Sequence, residues 1–124
     1  MHVLVVDDSA TIRRRAREIL EQAGHTCEEA ENGLEAIKMA LSNRYDLIIT
    51  DIVMPVLDGL KFIQRIRASR NGEDVPILIL SSRGDEETVL RARDLRVQGY
   101  VLKPLRPDVL LDRVQRIEPP GTSS

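Results

Sequence analysis

Tryptophan is absent from this 124-residue chain, and its aromatics come down to Tyr45, Phe62 and Tyr100. Three scattered rings build no platform on which nucleic-acid bases could stack. Cys27 is the only cysteine, which excludes an internal disulfide and fits a reducing compartment. No apolar run approaches the roughly 18 residues of a membrane span, and no signal peptide precedes the first apolar run. An excess of one charge is missing too. Against 20 Asp and Glu stand 18 Lys and Arg, a net charge of −2, so no global field draws nucleic acid or an anionic membrane. The G-x-G-x-x-G and G-x-x-x-x-G-K-[ST] loops that cradle phosphates are absent, which weighs against a nucleotide-binding module. The expectation is a cytoplasmic protein with no membrane partner and no direct nucleic-acid binding.

What is present is an ordinary globular composition, 42% apolar and 31% charged, at a length that fits one domain. Apolar runs alternate with helical stripes. Val3–Val6 ends at Asp7-Asp8. A helix follows with Ile12, Ala16, Ile19, Leu20 and Ala23 as its inner stripe, Ser9 or Thr11 as its cap and Gly24 as its stop. Thr26–Ala30, with Glu28 and Glu29, reads as a strand near the sheet edge. Asn32-Gly33 opens a second helix with a rougher stripe of Leu34, Ile37, Met39 and Leu41. Leu47–Ile49 is a buried strand finished by Thr50 and ended by Asp51. Met54-Pro55 keeps the next stretch extended, and Asp58 caps a helix from about Gly59 to Ser69 that buries Leu60, Phe62, Ile63 and Ile66. Ile77–Leu80 runs into Ser81-Ser82, Asp85–Leu95 is helical, Tyr100–Leu102 ends at Lys103-Pro104, and Pro107–Ile117 is the last helix. One domain is expected over 1–117, with 118–124 a tail or the start of a linker.

Five near-continuous apolar strands alternating with five helices predict an α/β fold, a doubly wound five-stranded parallel sheet covered on both faces. Right-handed crossovers bring the carboxyl ends of all strands to one edge, where such sheets bind ligands. That edge collects Asp7, Asp8, Asp51, Ser81 and Lys103. Two carboxylates about 4 Å apart repel by roughly 4 kcal/mol at an effective dielectric near 20, so three need compensation. A hard divalent cation with oxygen ligands supplies it, Mg²⁺ above all, and Lys103 adds to it. An Asp beside Mg²⁺ and a Lys is placed to receive a phosphoryl group, whose charge the metal and ammonium would neutralise.

These residues resemble the receiver domain of two-component response regulators, close in length to the single-domain chemotaxis regulators. The marks are Val5-Val6-Asp7-Asp8, Thr50-Asp51 with Met54-Pro55 and Asp58-Gly59, Ser81, and Gly99-Tyr100 with Lys103-Pro104, each after its own strand over about residues 1–117. The resemblance implies the flavodoxin-like (βα)5 strand order 2-1-3-4-5, an order known for this family and not read from the pattern. It implies Asp51 as the phosphorylated aspartate, with Asp8, Asp51 and the main-chain carbonyl of Val53 holding Mg²⁺ and Asp7 acting through water. Lys103 would pair with the phosphoryl oxygens, Ser81 would close on them, and Tyr100 would be the aromatic switch. The Lys103-Pro104 bond would be cis. The phosphoryl donor would be a phosphohistidine on a histidine kinase or histidine phosphotransfer domain. The changing surface would be the fourth helix, fifth strand and fifth helix, roughly Asp85 to Ile117, open to an output protein or domain or to a phosphorylation-dependent homodimer. Such a domain is no enzyme beyond its own phosphotransfer and dephosphorylation. The chain departs from the family pattern at Arg96-Val97-Gln98, where a glycine is common before Gly-Tyr, at Val53, where many relatives are polar, and at the variable Arg83.

Other readings stand beside this one. A dehalogenase-type phosphatase also uses Asp, Mg²⁺, Ser or Thr and Lys, but its nucleophile follows the first strand as Asp-x-Asp, whereas Asp7-Asp8 are adjacent here. A receiver fold could also work as an unphosphorylated interaction module, though every acidic and Lys position is intact. Arg13, Arg14, Arg15 and Arg17 read as a solvated helix face, or as contact with an acidic or phosphorylated partner. His2 and His25 lack a second ligand at metal spacing. Cys27 and Tyr45 read as packing residues. Arg83, if it leaned over the site, would combine with Val53 to slow loss of the phosphoryl group.

Overall fold

The structure, a computed structural model, describes residues 1–118. The expected linker therefore lies outside the described residues, apart from Glu118. Strands β1 (His2–Val6), β2 (Thr26–Ala30), β3 (Leu47–Thr50), β4 (Ile77–Ser81) and β5 (Gly99–Leu102) alternate with helices α1 (Ala10–Gln22), α2 (Gly33–Ser42), α3 (Gly59–Arg67), α4 (Glu86–Asp94) and α5 (Pro107–Ile117). All strand pairs are parallel, in the order β2-β1-β3-β4-β5. β2 is thus an edge strand, as its charged sequence predicts.

Strand side chains alternate between two cores. Leu4, Val6, Ile48, Ile77 and Ile79 pack with Ala36 and Ala40 of α2, Phe62, Ile63 and Ile66 of α3 and Ala92 of α4. Val3, Val5, Leu47, Ile49, Leu78 and Leu80 pack with Ala16 and Leu20 of α1 and Leu110 and Val114 of α5. Phe62 is the largest fully buried side chain among the described residues.

Sequence-coded caps set where helices begin. Ser9, Asn32, Asp58 and Asp85 each accept a main-chain N–H three residues on, which satisfies one orphan donor of the first turn. Gly24, at φ +95°, takes the left-handed position after α1 that only glycine adopts without strain. α3 stops at Arg67, two residues short of the predicted end, because the Ser69 N–H and Oγ both turn back to the Ile66 carbonyl. After α4, where glycine is missing, Arg96 itself takes φ +63°. Arg67 braces that turn, donating from Nε to the Leu95 carbonyl and from a terminal nitrogen to the Arg96 carbonyl, both at 3.0 Å.

Two stripes need correction. On α2 the inner face is Gly33, Ala36 and Ala40, with Ile37 and Met39 half-buried, while Leu34 and Leu41, seven residues apart on the far side, are exposed. Small residues face inward because the helix packs closely there, so the largest apolar side chains mislead. Ala23, assigned to the stripe of α1, is exposed at its C-cap.

Candidate functional site

The register decides which strand ends meet. Val6 is level with Thr50, so Asp7 and Asp51 leave β1 and β3 side by side, and the Asp51 N–H donates to the Val6 carbonyl at 3.0 Å. Thr50 is level with Ile79, which puts Ser81 one residue beyond the row of Asp51. Ser81 is level with Leu102, and the Lys103 N–H donates to the Ser81 carbonyl at 2.8 Å. The five residues collected by the strand pattern therefore do share one edge.

Carboxylate oxygens of Asp7, Asp8 and Asp51 lie within 4.8 Å of one another. Asp7 and Asp51 are buried and Asp8 is exposed. The Lys103 ammonium donates to Asp7 Oδ2 and Asp51 Oδ2, each at 2.9 Å. Burial pulls this ammonium down, but its bonds to Asp51 and Asp7 and their charges carry it above the usual lysine range. Burial raises the Asp7 carboxyl above its ordinary value, although the Ser9 N–H and Lys103 pull against it.

Asp51 is held from several sides. Its Oδ1 accepts the N–H groups of Ile52 at 2.6 Å and Val53 at 3.2 Å, a local turn that bends the chain away from β3. Gly59 packs beneath it so closely that a Cβ there would stand 2.0 Å from the Asp51 carbonyl oxygen. Only glycine lets α3 begin at this distance, and the Gly59 N–H donates to the Ile52 carbonyl at 2.8 Å. Between them, Val56 adopts φ +73° and the Leu57 N–H reaches the Pro55 carbonyl at 2.8 Å, a tight three-residue turn. Val53, the expected main-chain ligand, is two residues past Asp51 with its side chain exposed.

This donor set suits a hard divalent cation. It is all oxygen, it concentrates negative charge against a single ammonium, and its exposed member, Asp8, opens it to water. Mg²⁺ binds through one or two carboxylates and keeps its remaining positions for water and phosphate oxygens.

Ser81 and Tyr100 converge on one residue. Ser81, fully buried, accepts the Arg83 N–H on Oγ at 3.2 Å, and the half-buried Tyr100 donates its hydroxyl to the Arg83 carbonyl. The condition set for Arg83, that it lean over the site, is not what its pairing shows. Its side chain is paired with Asp85 at 2.8 Å, and Asp85 at the same time caps α4 through the Thr88 N–H and hydroxyl. The Lys103-Pro104 peptide is cis.

Arg13 belongs beside this site and was not singled out from its neighbours in the arginine cluster. It donates to the Asp7 carbonyl at 2.6 Å and to Glu29 Oε1 at 3.0 Å, whereas Arg14 and Arg15 are exposed. A single sequence shows four arginines and no sign of which one turns inward. His2 stacks on Tyr45 with ring centroids 5.1 Å apart, and His25 pairs with Glu118 at 3.0 Å. Burial pushes the Cys27 thiol up to about 11. A cavity of about 790 Å³ opens at the opposite edge of the sheet beside Tyr45, Pro76 and Ile117, and none of Asp7, Asp8 and Asp51 lines it. Among the described residues, no helix is long and apolar enough to cross a membrane.

Comparison with known proteins agrees with this geometry. Residues 3–115 match the family model of the response regulator receiver domain. A chemotaxis protein CheY homolog of Campylobacter jejuni is 36% identical over 119 residues, covering 94% of this chain and 92% of that protein. The transcriptional regulatory protein ResD of Bacillus subtilis is 37% identical over 115 residues, which cover 93% of this chain but 47% of ResD. The solved structure of the chemotaxis response regulator CheY4 of Vibrio cholerae superposes with a TM-score of 0.88 at 35% identity, covering 94% of this chain and 98% of that one.

Proposed function

Since the chain belongs to the response regulator receiver family of two-component signalling, we propose that it is a phosphorylation-dependent switch whose acceptor is Asp51. The observation that carries this reading is the Asp51 carboxylate, held 2.9 Å from the Lys103 ammonium inside a cluster of three carboxylates. An Asp51 oxygen attacks the phosphorus of a partner phosphohistidine, the P–N bond breaks, and the imidazole leaves with that electron pair. Asp8, Asp51 and the Val53 carbonyl would hold Mg²⁺, with Asp7 acting through water. The ion supplies charge neutralisation of the transferring oxygens. Lys103 shares that task, exchanging its contact with a carboxylate for one with the phosphoryl group. Ser81 donates its hydroxyl to a phosphoryl oxygen, and movement of Oγ toward that oxygen strains the bond it accepts from the Arg83 N–H.

Tyr100 reads that change because it grips the same residue from the other side. A shift of Ser81 alters what holds Arg83, and Arg83 holds Asp85 at the start of α4. The surface of α4, β5 and α5 is then the output, offered to a partner protein or domain or to a second copy of the chain. The domain works on its own phosphoryl group and turns over no separate substrate. A cytoplasmic histidine kinase or phosphotransfer domain is the matching donor.

The test is incubation with a small acyl phosphate and Mg²⁺, followed by intact mass. One base-labile phosphoryl group should appear and be lost in Asp51→Asn. Labelling that survives Asp51→Asn, or that resists base, would show that the acceptor lies elsewhere.

A further inference from the structure

We propose that Arg13 is a positioning residue of the acidic site, setting the plane of the Asp7–Asp8 peptide and so the direction in which Asp8 presents its carboxylate to Mg²⁺. The inference rests on the reading of Asp7, Asp8 and Asp51 as the Mg²⁺ site.

β1 ends at Val6, so the Asp7 carbonyl has left the strand ladder, while Asp7 itself is buried. A buried carbonyl needs a donor. Arg13 provides it at 2.6 Å, from a side chain only 15% exposed. The guanidinium is held at its other end as well, by Glu29 at 3.0 Å, and Glu29 accepts Arg17 on its second oxygen at 3.1 Å. Glu29 is fixed in turn by β2, where it is level with Val5. A planar fork gripped from two sides has little freedom left. A peptide group is planar too, so holding the oxygen of residue 7 holds the nitrogen and Cα of residue 8. On the far side, the Ser9 N–H donates to Asp7 Oδ1 at 2.9 Å. Asp8 therefore stands between two fixed points, although its own side chain faces solvent. Glu29 offsets the charge of Arg13, and what reaches the site is direction more than field.

Direction and field predict opposite signs. A cation that acted only by its charge would repel Mg²⁺, and deleting it would tighten binding. A positioning group weakens binding when deleted. Calorimetric titration of the whole chain with MgCl₂ separates the two. Arg13→Met should bind Mg²⁺ about 10-fold more weakly, the lower end for loss of an outer-shell partner. Arg13→Lys, which keeps the charge but not the fork, should fall between Arg13→Met and wild type. A role confined to stability would instead lower the metal-free melting temperature and leave the affinity of the folded protein unchanged. Unchanged or tighter Mg²⁺ binding in Arg13→Met overturns the inference while the site itself stands. Should that variant fail to fold, wild-type affinity in Arg13→Lys overturns it equally. Absence of Mg²⁺ binding in wild type would remove the site reading and the inference together.

Discussion

Replacing Lys103 by Met deletes one ammonium and changes little volume, and its effect can be worked from the distances. At 2.9 Å from each of two carboxylates, the ammonium attracts each by about 6 kcal/mol at an effective dielectric of 20. The two carboxylates, whose oxygens lie within 4.8 Å, repel by at least about 3.5 kcal/mol on the same scale. Desolvation of the ammonium offsets much of the gross attraction, and breaking a buried pair by deleting one partner costs a net 3–5 kcal/mol or so. Lys103 keeps 18% of its side chain exposed, which puts the expected loss near the lower end, about 3 kcal/mol. Urea denaturation at pH 7 in the presence of a chelator measures it. Saturating Mg²⁺ should shrink the deficit, since a second cation then faces the same carboxylates, and the variant should gain more from the metal than wild type does. Acid should shrink it too. Burial raises the Asp7 carboxyl above its ordinary 3.8, so the folded protein keeps a proton that the unfolded chain releases. That contribution is fully present below pH 3.8 and disappears as pH rises through the folded value. Loss of Lys103 removes two influences that hold this value down and extends the window upward. Equal metal-free stability at pH 7, or a deficit indifferent to Mg²⁺, would refute the reasoning.

The apolar Val53 side chain, exposed two residues after Asp51, cannot hold an attacking water, so Val53→Asn should speed phosphoryl loss. An unchanged decay rate would show that this position does not set the lifetime. Tyr100→Ala should leave Mg²⁺ binding and labelling of Asp51 intact while reducing phosphorylation-dependent partner or dimer affinity, a coupling of typically about 1–3 kcal/mol. The same gain in both proteins would assign Tyr100 to packing alone. Arg96→Gly should stabilise the fold by about 0.5–1 kcal/mol, because glycine takes the left-handed conformation without strain. Denaturation midpoints that fall instead would mean that the Arg96 side chain contributes more than its backbone costs.

Features carried by local pattern were legible in the sequence. Strand ends are marked by a change from apolar to polar, so Asp7, Asp51, Ser81 and Lys103 could be placed on one edge before any coordinates. Helix starts are marked by capping residues, and Asn32, Asp58 and Asp85 begin their helices as expected. What could not be read depends on partners distant in the chain. Leu34 and Leu41 look like core, yet the close approach of α2 is made by Gly33, Ala36 and Ala40. Arg13 looks like any other arginine of α1 until β2 brings Glu29 beside it. The left-handed Arg96 becomes tolerable through Arg67, 29 residues earlier. That Arg83 pairs with Asp85, two residues on, could not be read either, because an acidic residue that only opens a helix looks the same in the sequence as one that also holds a cation.

The strand order leaves β2 at an open edge, with one row of main-chain donors and acceptors unpaired. Such a row is a template for another strand, and so for aggregation. Consecutive strand residues point to opposite faces. Glu28, paired with His2, lies on the face of Leu4, while Glu29, paired with Arg13 and Arg17, lies on that of Val5. An intruding strand therefore meets a carboxylate whichever side it presents, and slipping by one residue offers no escape. The two adjacent glutamates act as gatekeepers of solubility, and Glu29 does so while bracing the arginine that holds the Asp7 carbonyl.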